Sequence, residues 1–328
     1  MTALHQQVRR TIVRHGLCPP GTRLLAALSG GSDSVALTRL LIDLAEHGGF
    51  TVVALAHLNH RLRATSERDE QFCRDLSARL GVPLVVEAVE VRAYATASRL
   101  SLEEAARRLR YDFLQRTAGH VGADRVAVGH TEDDQAETFL LKLVRGAGLS
   151  GLAGIYPRRG AIVRPLIEVS RADLRLYLTS RGESWVEDET NADCQNPRNR
   201  VRHRVLPELD LTSGGSARPA IARAAALVRE DGVWLDELGR SRFGALATRT
   251  SEGYSIDPAL AQEPVPVRRR VLLEAMRALA GDREVGLDHV EAALAVLGGS
   301  AAAADIPGSR VELRRGRLVL LEQGTRAK

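Results

Sequence analysis

The chain reads as an α/β protein: a doubly wound parallel sheet of five strands in the order 3-2-1-4-5, followed by a smaller, mainly helical α+β domain. Three observations predict this. Short apolar runs alternate with helical patterns from residue 23 to about 181, as expected of a parallel sheet covered on both faces. Apolar residues make up 44% of a 328-residue chain, enough for a sizeable core and long enough for two domains. After Pro207 the alternation stops.

The strand runs are residues 23–28, 51–58, 83–89, 125–128 and 161–166, rich in Leu, Ala and Val and of strand length. Between them Val35, Leu37, Leu40, Leu41 and Leu44 share one helical face, and Phe72, Cys73, Leu76 and Leu80 another. Ser101 with Glu104 predicts a capping box opening a third helix, which carries Leu102, Leu109 and Phe113. The small, polar stretch 210–219 predicts a linker. It divides a domain at 1–209 from one at 210–328. The latter is expected to hold helices over about 221–246, 267–280 and 288–297, then a hairpin over 310–321 turning near Arg315-Gly316.

Composition narrows the function. Of 46 basic residues only Lys142 and Lys328 are lysines, and arginine grips phosphate with a planar, bidentate fork. A net charge of +5 and a pI near 9.5 favour a polyanionic partner. Aromatics at 4% argue against a stacking platform for long single strands. No apolar run is long enough to span a bilayer, and the first residues lack a signal-peptide layout. A cytoplasmic protein with no membrane partner is expected. Cys18, Cys73 and Cys194 are isolated in sequence, and no C-x-x-C offers a local zinc or iron–sulfur ligand set.

The sharpest local feature is Ser29-Gly30-Gly31-Ser32-Asp33-Ser34, between the first strand and the first helix after it. Two glycines let the backbone fold close to a ligand, and a helix N-terminus offers free N–H groups to an anion. An ordinary Gly-Ser turn would account for the glycines alone, but not for the hexapeptide after a buried strand. The Lys-Ser/Thr ending of a Walker A loop is missing. A second cluster, Gly129-His130-Thr131-Glu132-Asp133-Asp134-Gln135-Ala136-Glu137, ends the fourth strand. Helix-dipole complementarity explains Glu132 and Asp133. Asp134 and Glu137, three apart, project from one face, and strands one and four are neighbours in this order, so the pair is expected beside the glycine turn. Gly146-x-Gly148-x-x-Gly151 fits a dinucleotide fingerprint in letters only. It follows a helix with no helical run expected after it, and is taken as a loop closing over the site.

Ser-Gly-Gly-x-Asp-Ser resembles the PP-loop of ATP pyrophosphatases, which split ATP between the α and β phosphates. The wider wording is similar to the tRNA(Ile)-lysidine synthetase family. Asp133-Asp134-Gln135-Ala136-Glu137-Thr138 is followed by Arg145-Gly146-Ala147-Gly148-Leu149-Ser150-Gly151-Leu152. His57-Leu58-Asn59-His60-Arg61-Leu62-Arg63, the 103–111 stretch with Arg107, Arg110 and Tyr111, and Asn196-Pro197-Arg198-Asn199-Arg200-Val201-Arg202-His203 also match. The likeness spans roughly residues 20 to 210. Many relatives have His-His where this chain has His130-Thr131.

The resemblance implies an ATP-dependent ligase. ATP would lie on Ser29, Gly30, Gly31, Ser32, Asp33, Ser34 and His57, with Asp33 holding Mg²⁺. Arg110 and His130 would stabilise the α-phosphate. Asp134 and Glu137 would receive the lysine amine, one of them taking its proton. Arg198, Asn199, Arg200 and Arg202 would contact the tRNA. The partners implied are L-lysine and the isoleucine tRNA with a CAU anticodon; a homodimer stays open. A thiolase of the same superfamily would be expected to show a catalytic cysteine or cluster motif, and a glutamine-fed synthetase an amidotransferase domain; neither is visible in the sequence.

Overall fold

A computed structural model describes residues 1–62, 65–187 and 196–323; Arg63, Cys194 and Lys328 lie outside the described residues. Contacts divide the chain into one unit over Met1–Arg229 and another over Glu230–Lys328.

In the first unit, α1 (Ala3–Arg14) precedes β1 (Arg23–Ala27), α2 (Ser32–Gly48), β2 (Thr51–Asn59), α3 (Ser66–Leu80) and β3 (Leu84–Ala88). Then come α4 (Val91–Ser98), α5 (Leu102–Val121), β4 (Arg125–Ala127), α6 (Glu132–Leu143) and α7 (Leu149–Leu152). A small hairpin, β5 (Arg158–Arg159) and β6 (Ile162–Val163), leads to α8 (Arg171–Ser180). The sheet order is β3-β2-β1-β4-β6-β5. β3, β2, β1, β4 and β6 are parallel neighbours and β5 is an antiparallel edge. This is the expected 3-2-1-4-5 order, with the fifth strand shortened to Ile162–Val163 and one extra edge strand beyond it.

β1 shows why the sheet is wrapped on both sides. Leu24 and Ala26 pack with α1, α2 and α8 residues such as Val8, Leu37, Leu40 and Leu174. Leu25, facing the other way, packs with Phe113, Leu114 and Ala118 of α5. Each is shielded from water, and each fully buried Leu contributes roughly 1.5–3 kcal/mol. Helices end where glycine takes the left-handed region, as at Gly49 (φ 69°) after α2 and Gly122 (φ 65°) after α5. The expected capping box at α5 is half formed. Ser101 accepts from Glu104 N, but the Glu104 carboxylate pairs with Arg108 at 2.9 Å instead of reaching back, an i,i+4 contact.

Helix α1 and its ties were not expected. His5 is buried and meets Asp43 of α2 at 3.0 Å, while His15 meets Glu168 at 3.0 Å. The stretch expected as a linker is largely helical. α9 (Pro197–Arg200), a π turn at Val201–Val205 and α10 (Leu206–Thr212) precede α11 (Ala217–Leu246), leaving only a short turn with Gly214 and Gly215 at positive φ. A single helical turn, α7, opens inside the glycine pattern after Gly148 and ends at Leu152.

The second unit carries α12 (Val265–Ala280) and α13 (Leu287–Leu297) beside a five-stranded antiparallel sheet. Its strands are β7 (Ala247–Thr250), β8 (Gly253–Ile256), β9 (Ala303–Ile306), β10 (Ser309–Arg314) and β11 (Arg317–Glu322), in the order β7-β8-β11-β10-β9. The expected hairpin is β10–β11, turning at Arg315 and Gly316 with φ 51° and 76°. Val271, Leu272, Met276 and Ala293 pack against Ile256, Val311 and Leu320. Among the described residues no helix is long and apolar enough to cross a membrane.

Candidate active site

The carboxyl ends of β1, β2 and β4 open into a crevice of about 970 Å³ within the first unit, where parallel sheets place ligands. On β1's side the turn Ser29–Ser34 is held by Ser34, whose hydroxyl accepts from Ser29 N at 3.1 Å and donates to Gly31 O at 2.9 Å. Gly30 has φ 88°, and a Cβ there would meet Val186, Cys73 and Phe72 at 3.4–3.5 Å. It therefore faces the packing below the turn, while Ser29, Gly31, Ser32, Asp33 and Ser34 line the crevice. The space at Gly30 is adequate; the backbone is the constraint. Gly30→Ala is expected to cost about 1–2 kcal/mol from the left-handed conformation and to weaken nucleotide binding, read by thermal melting and ATP titration. A variant as stable and as tight-binding as the parent would show that the turn tolerates another backbone.

Gly129 at the end of β4 answers to the same turn. A Cβ there would come within 3.2 Å of the Asp33 carbonyl, so any larger residue would push the chain after β4 a few tenths of an ångström away from the start of α2. Thr131 then caps α6. Its hydroxyl accepts from Asp134 N at 3.3 Å, and Asp134 Oδ2 accepts from Thr131 N at 2.9 Å. The residue after His130 is thus an N-cap that fixes Asp134.

The acidic pair stands beside the glycine turn, linked to it by a residue that sequence reasoning missed. Arg171, the first residue of α8, meets Asp33 Oδ2 at 3.0 Å with Nε and Asp134 Oδ1 at 3.2 Å with NH2. Its NH1 lies 3.6 Å from Glu137. In sequence Ser170-Arg171-Ala172-Asp173 looked like an ordinary helix start, and Ser170 does cap α8; no local pattern reveals a bridge across 138 residues.

Two of the arginines expected at the tRNA lie against the carboxylates. Asn196 caps α9, accepting from Arg198 N at 2.8 Å, and the next turn brings Arg202 onto the same side. Arg198 meets Glu137 at 2.7 Å and Asp134 at 2.9 Å; Arg202 meets Glu137 at 2.6 Å. Both line the crevice, whereas Asn199 and Arg200 do not, and Arg200 is exposed. Glu137 is fully buried beneath this arrangement.

The carboxylates differ in electrostatic state. Burial raises Asp33, Arg171 offsets part of the rise and the Asp134 charge adds to it, leaving the group above its ordinary range. Asp134 is also pushed up by burial, but Arg171, Arg198 and the Thr131 amide outweigh it and hold the carboxyl well below the usual value. Asp33 is thus a partly buried acid short of positive charge. One guanidinium touches Asp33 and Asp134 at once, so both can approach a single small cation. Carboxylates of this kind with phosphate oxygens and water suit Mg²⁺.

His57, on β2, is buried and donates from Nδ1 to Leu28 O at 2.9 Å. Burial lowers its pKa. His130 accepts at Nδ1 from Arg164 Nε at 2.9 Å, and burial pushes its pKa down to about 3. Arg110 lines the crevice with its guanidinium carbon 5.5 Å from the Tyr111 ring centroid, and Arg107 stands at 4.9 Å. Gly146, Gly148 and Gly151 do not line it, so the expected loop over the site is elsewhere. Cys73 packs under the turn with its thiol pushed up by burial to about 12.

A strand, a glycine turn, a helix N-terminus and acidic residues on the adjoining strand end define a nucleotide-binding α/β domain, and residues 2–209 match the family model of the PP-loop domain. A tRNA(Ile)-lysidine synthase of Geobacter sulfurreducens is 40% identical over 296 residues, covering 88% of this chain and 62% of that protein. The enzyme of the same description from Symbiobacterium thermophilum is 37% identical over 330 residues, covering 96% and 68%. The chain belongs to the tRNA(Ile)-lysidine synthase family of PP-loop proteins. It spans less than two thirds of the length of the Geobacter relative. Among solved structures, a U34-tRNA thiolase of Methanococcus maripaludis with a 4Fe–4S cluster shares the fold at 15% identity. The TM-score is 0.57, over 69% of this chain and 78% of that one.

Proposed function

We propose that this chain ligates lysine to the wobble cytidine of the isoleucine tRNA with a CAU anticodon, consuming ATP to AMP and pyrophosphate in a cytoplasmic setting. The single observation that carries the reading is the shared crevice: the Ser29–Ser34 turn and Asp134 line it together, tied by Arg171, with Glu137 buried against Arg198 and Arg202. Backbone N–H groups and hydroxyls of the turn suit a polyphosphate. Asp33, with Asp134 beside it, would hold Mg²⁺, which neutralises phosphate charge. Arg110 and His130 would face the α-phosphate, where fixed donors stabilise developing charge.

In the first step the cytidine O2 attacks the α-phosphorus and pyrophosphate leaves. In the second the lysine ε-amine attacks C2 of the base and AMP leaves. That amine arrives as an ammonium with an ordinary pKa near ~10.4. Asp134 and Glu137 already hold cations, and an ammonium can take the place of one guanidinium; a carboxylate then accepts the proton lost during attack. Arg198 and Arg202, once displaced, join Asn199 and Arg200 as a basic face for the tRNA backbone, and the unit over 230–328 supplies further tRNA contacts.

The test is incorporation of labelled lysine into a transcript of that tRNA, with ATP and magnesium. The expected result is one lysine per tRNA, accompanied by AMP and pyrophosphate. Pyrophosphate release without lysine incorporation would point to a different PP-loop transfer.

A further inference from the structure

Two of the histidines that line the crevice, His57 and His130, have Nδ1 atoms that meet opposite partners. A carbonyl oxygen only accepts, so the contact from His57 Nδ1 to Leu28 O at 2.9 Å requires a proton on Nδ1. A guanidinium only donates and stays protonated, so the contact from Arg164 Nε to His130 Nδ1 at 2.9 Å requires that nitrogen to be bare. We propose that Arg164 is a positioning residue that fixes His130 as a neutral imidazole with its proton on Nε2, opposite to the tautomer of His57. His130 is then a hydrogen-bond donor to an oxygen in the crevice and not a base. His57, neutral with Nε2 bare, accepts from an N–H or O–H.

Arg164 is built for this and little else. It follows β6 directly, is only 5% exposed, and anchors its NH1 on Tyr156 O at 2.7 Å. Buried and bonded at Nε to His130 and at NH1 to Tyr156 O, the guanidinium is fixed against the ring, and its charge opposes a second proton there. A carboxylate or carbonyl at Nδ1 is the usual way to orient a histidine, and it leaves Nε2 as the acceptor. An arginine there inverts the outcome. A neutral donor is what a phosphate or carbonyl oxygen gaining charge requires, since it needs no proton transfer to act.

This assignment deepens the ligase reading and rests on it for the identity of the oxygen, but not for the tautomers. The experiment is long-range ¹H–¹⁵N spectroscopy of the ¹⁵N-histidine-labelled full chain without substrates, with ATP turnover measured alongside. Expected are an Nε2–H signal pattern for His130 and an Nδ1–H pattern for His57. Arg164→Met, which keeps the stem and removes the donor, should mix the His130 tautomers and lower kcat about 10–100-fold, a partial loss of one oriented donor, with little change in KM for ATP. Arg164→Lys, which can still donate, should restore most of both. An Nδ1–H pattern for His130 in the parent protein overturns the proposal, and that spectrum decides even if Arg164→Met fails to fold. A folded Arg164→Met with unchanged tautomer and kcat also overturns it. A chain that shows both tautomers but transfers no lysine sinks the ligase reading alone.

Discussion

Glu137→Ala is expected to destabilise the first unit by about 3–5 kcal/mol, the range for breaking a buried ion pair by removing one partner, and to abolish lysine transfer. Glu137 is fully buried and takes Arg198 at 2.7 Å and Arg202 at 2.6 Å. Without it Arg202 loses its shortest carboxylate contact among the described residues and keeps Asp134 at 3.7 Å, and the charge left behind is half enclosed. Arg198 and Arg202 retain 30% and 20% side-chain exposure, so water recovers part of the loss and the lower end of that range applies. Catalysis should fall further than stability explains, by about 10²–10⁴-fold at temperatures where the variant is folded, the usual cost of losing a group that handles a proton. The double variant Glu137→Leu with Arg202→Met separates the two roles. Replacing an ion pair by apolar groups of similar size is often neutral for stability, and Arg198 keeps Asp134 at 2.9 Å, so its melt should return toward the parent while transfer stays absent. Recovery of transfer in the double variant would make Glu137 a structural residue only.

That clamp marks the boundary of what the sequence could tell. Period and turn chemistry are local, so the strand runs, the helix faces of α2 and α3 and the β10–β11 turn could be read residue by residue. The adjacency of β1 and β4 followed from the chirality and order common to open parallel sheets, which is why Asp134 could be placed near the glycine turn without coordinates. What stayed hidden was long-range pairing. Arg171 reaches Asp33 across 138 positions, and Arg164 reaches His130 across 34. In a chain with 46 basic residues no single arginine stands out by composition. The cluster Arg198–Arg202 illustrates the ambiguity: charge and spacing suit a polyanion, yet the same side chains neutralise the buried acids. Strands β7, β8 and β9 were missed because short, mostly polar segments such as Ala247–Thr250 show little burial alternation, and helix α1 because its apolar positions are few.

Asp33→Asn should separate stability from function in the opposite direction to Glu137. Burial holds the Asp33 carboxyl above its ordinary pKa even with Arg171 beside it, so at neutral pH the native state carries an ionised group that would be more comfortable in the unfolded chain. An acid with a raised folded pKa binds its proton more tightly in the native state. Stability therefore falls as pH rises from the unfolded value, ~3.9, to the folded one, and stays reduced above it. Asn is isosteric and neutral, and its carbonyl can still accept from Arg171 Nε, now 3.0 Å from the carboxylate. The variant should melt at the same temperature as the parent or slightly higher at pH 7.5, and the two curves should converge at acid pH. Asp134 has the reverse sign, because its depressed pKa gives stability that is lost as pH falls, so acid unfolding of both proteins should be similar. Function should show the cost. If Asp33 holds the cation on the pyrophosphate, saturating magnesium and ATP at about 100 times the dissociation constant will raise the parent's stability by roughly 2.7 kcal/mol and leave the variant nearly unprotected, with pyrophosphate release reduced by at least ~10²-fold. A variant that melts well below the parent at neutral pH, or that magnesium and ATP protect as strongly, would mean that Asp33 serves Arg171 and the fold, and that the cation is held elsewhere in the crevice.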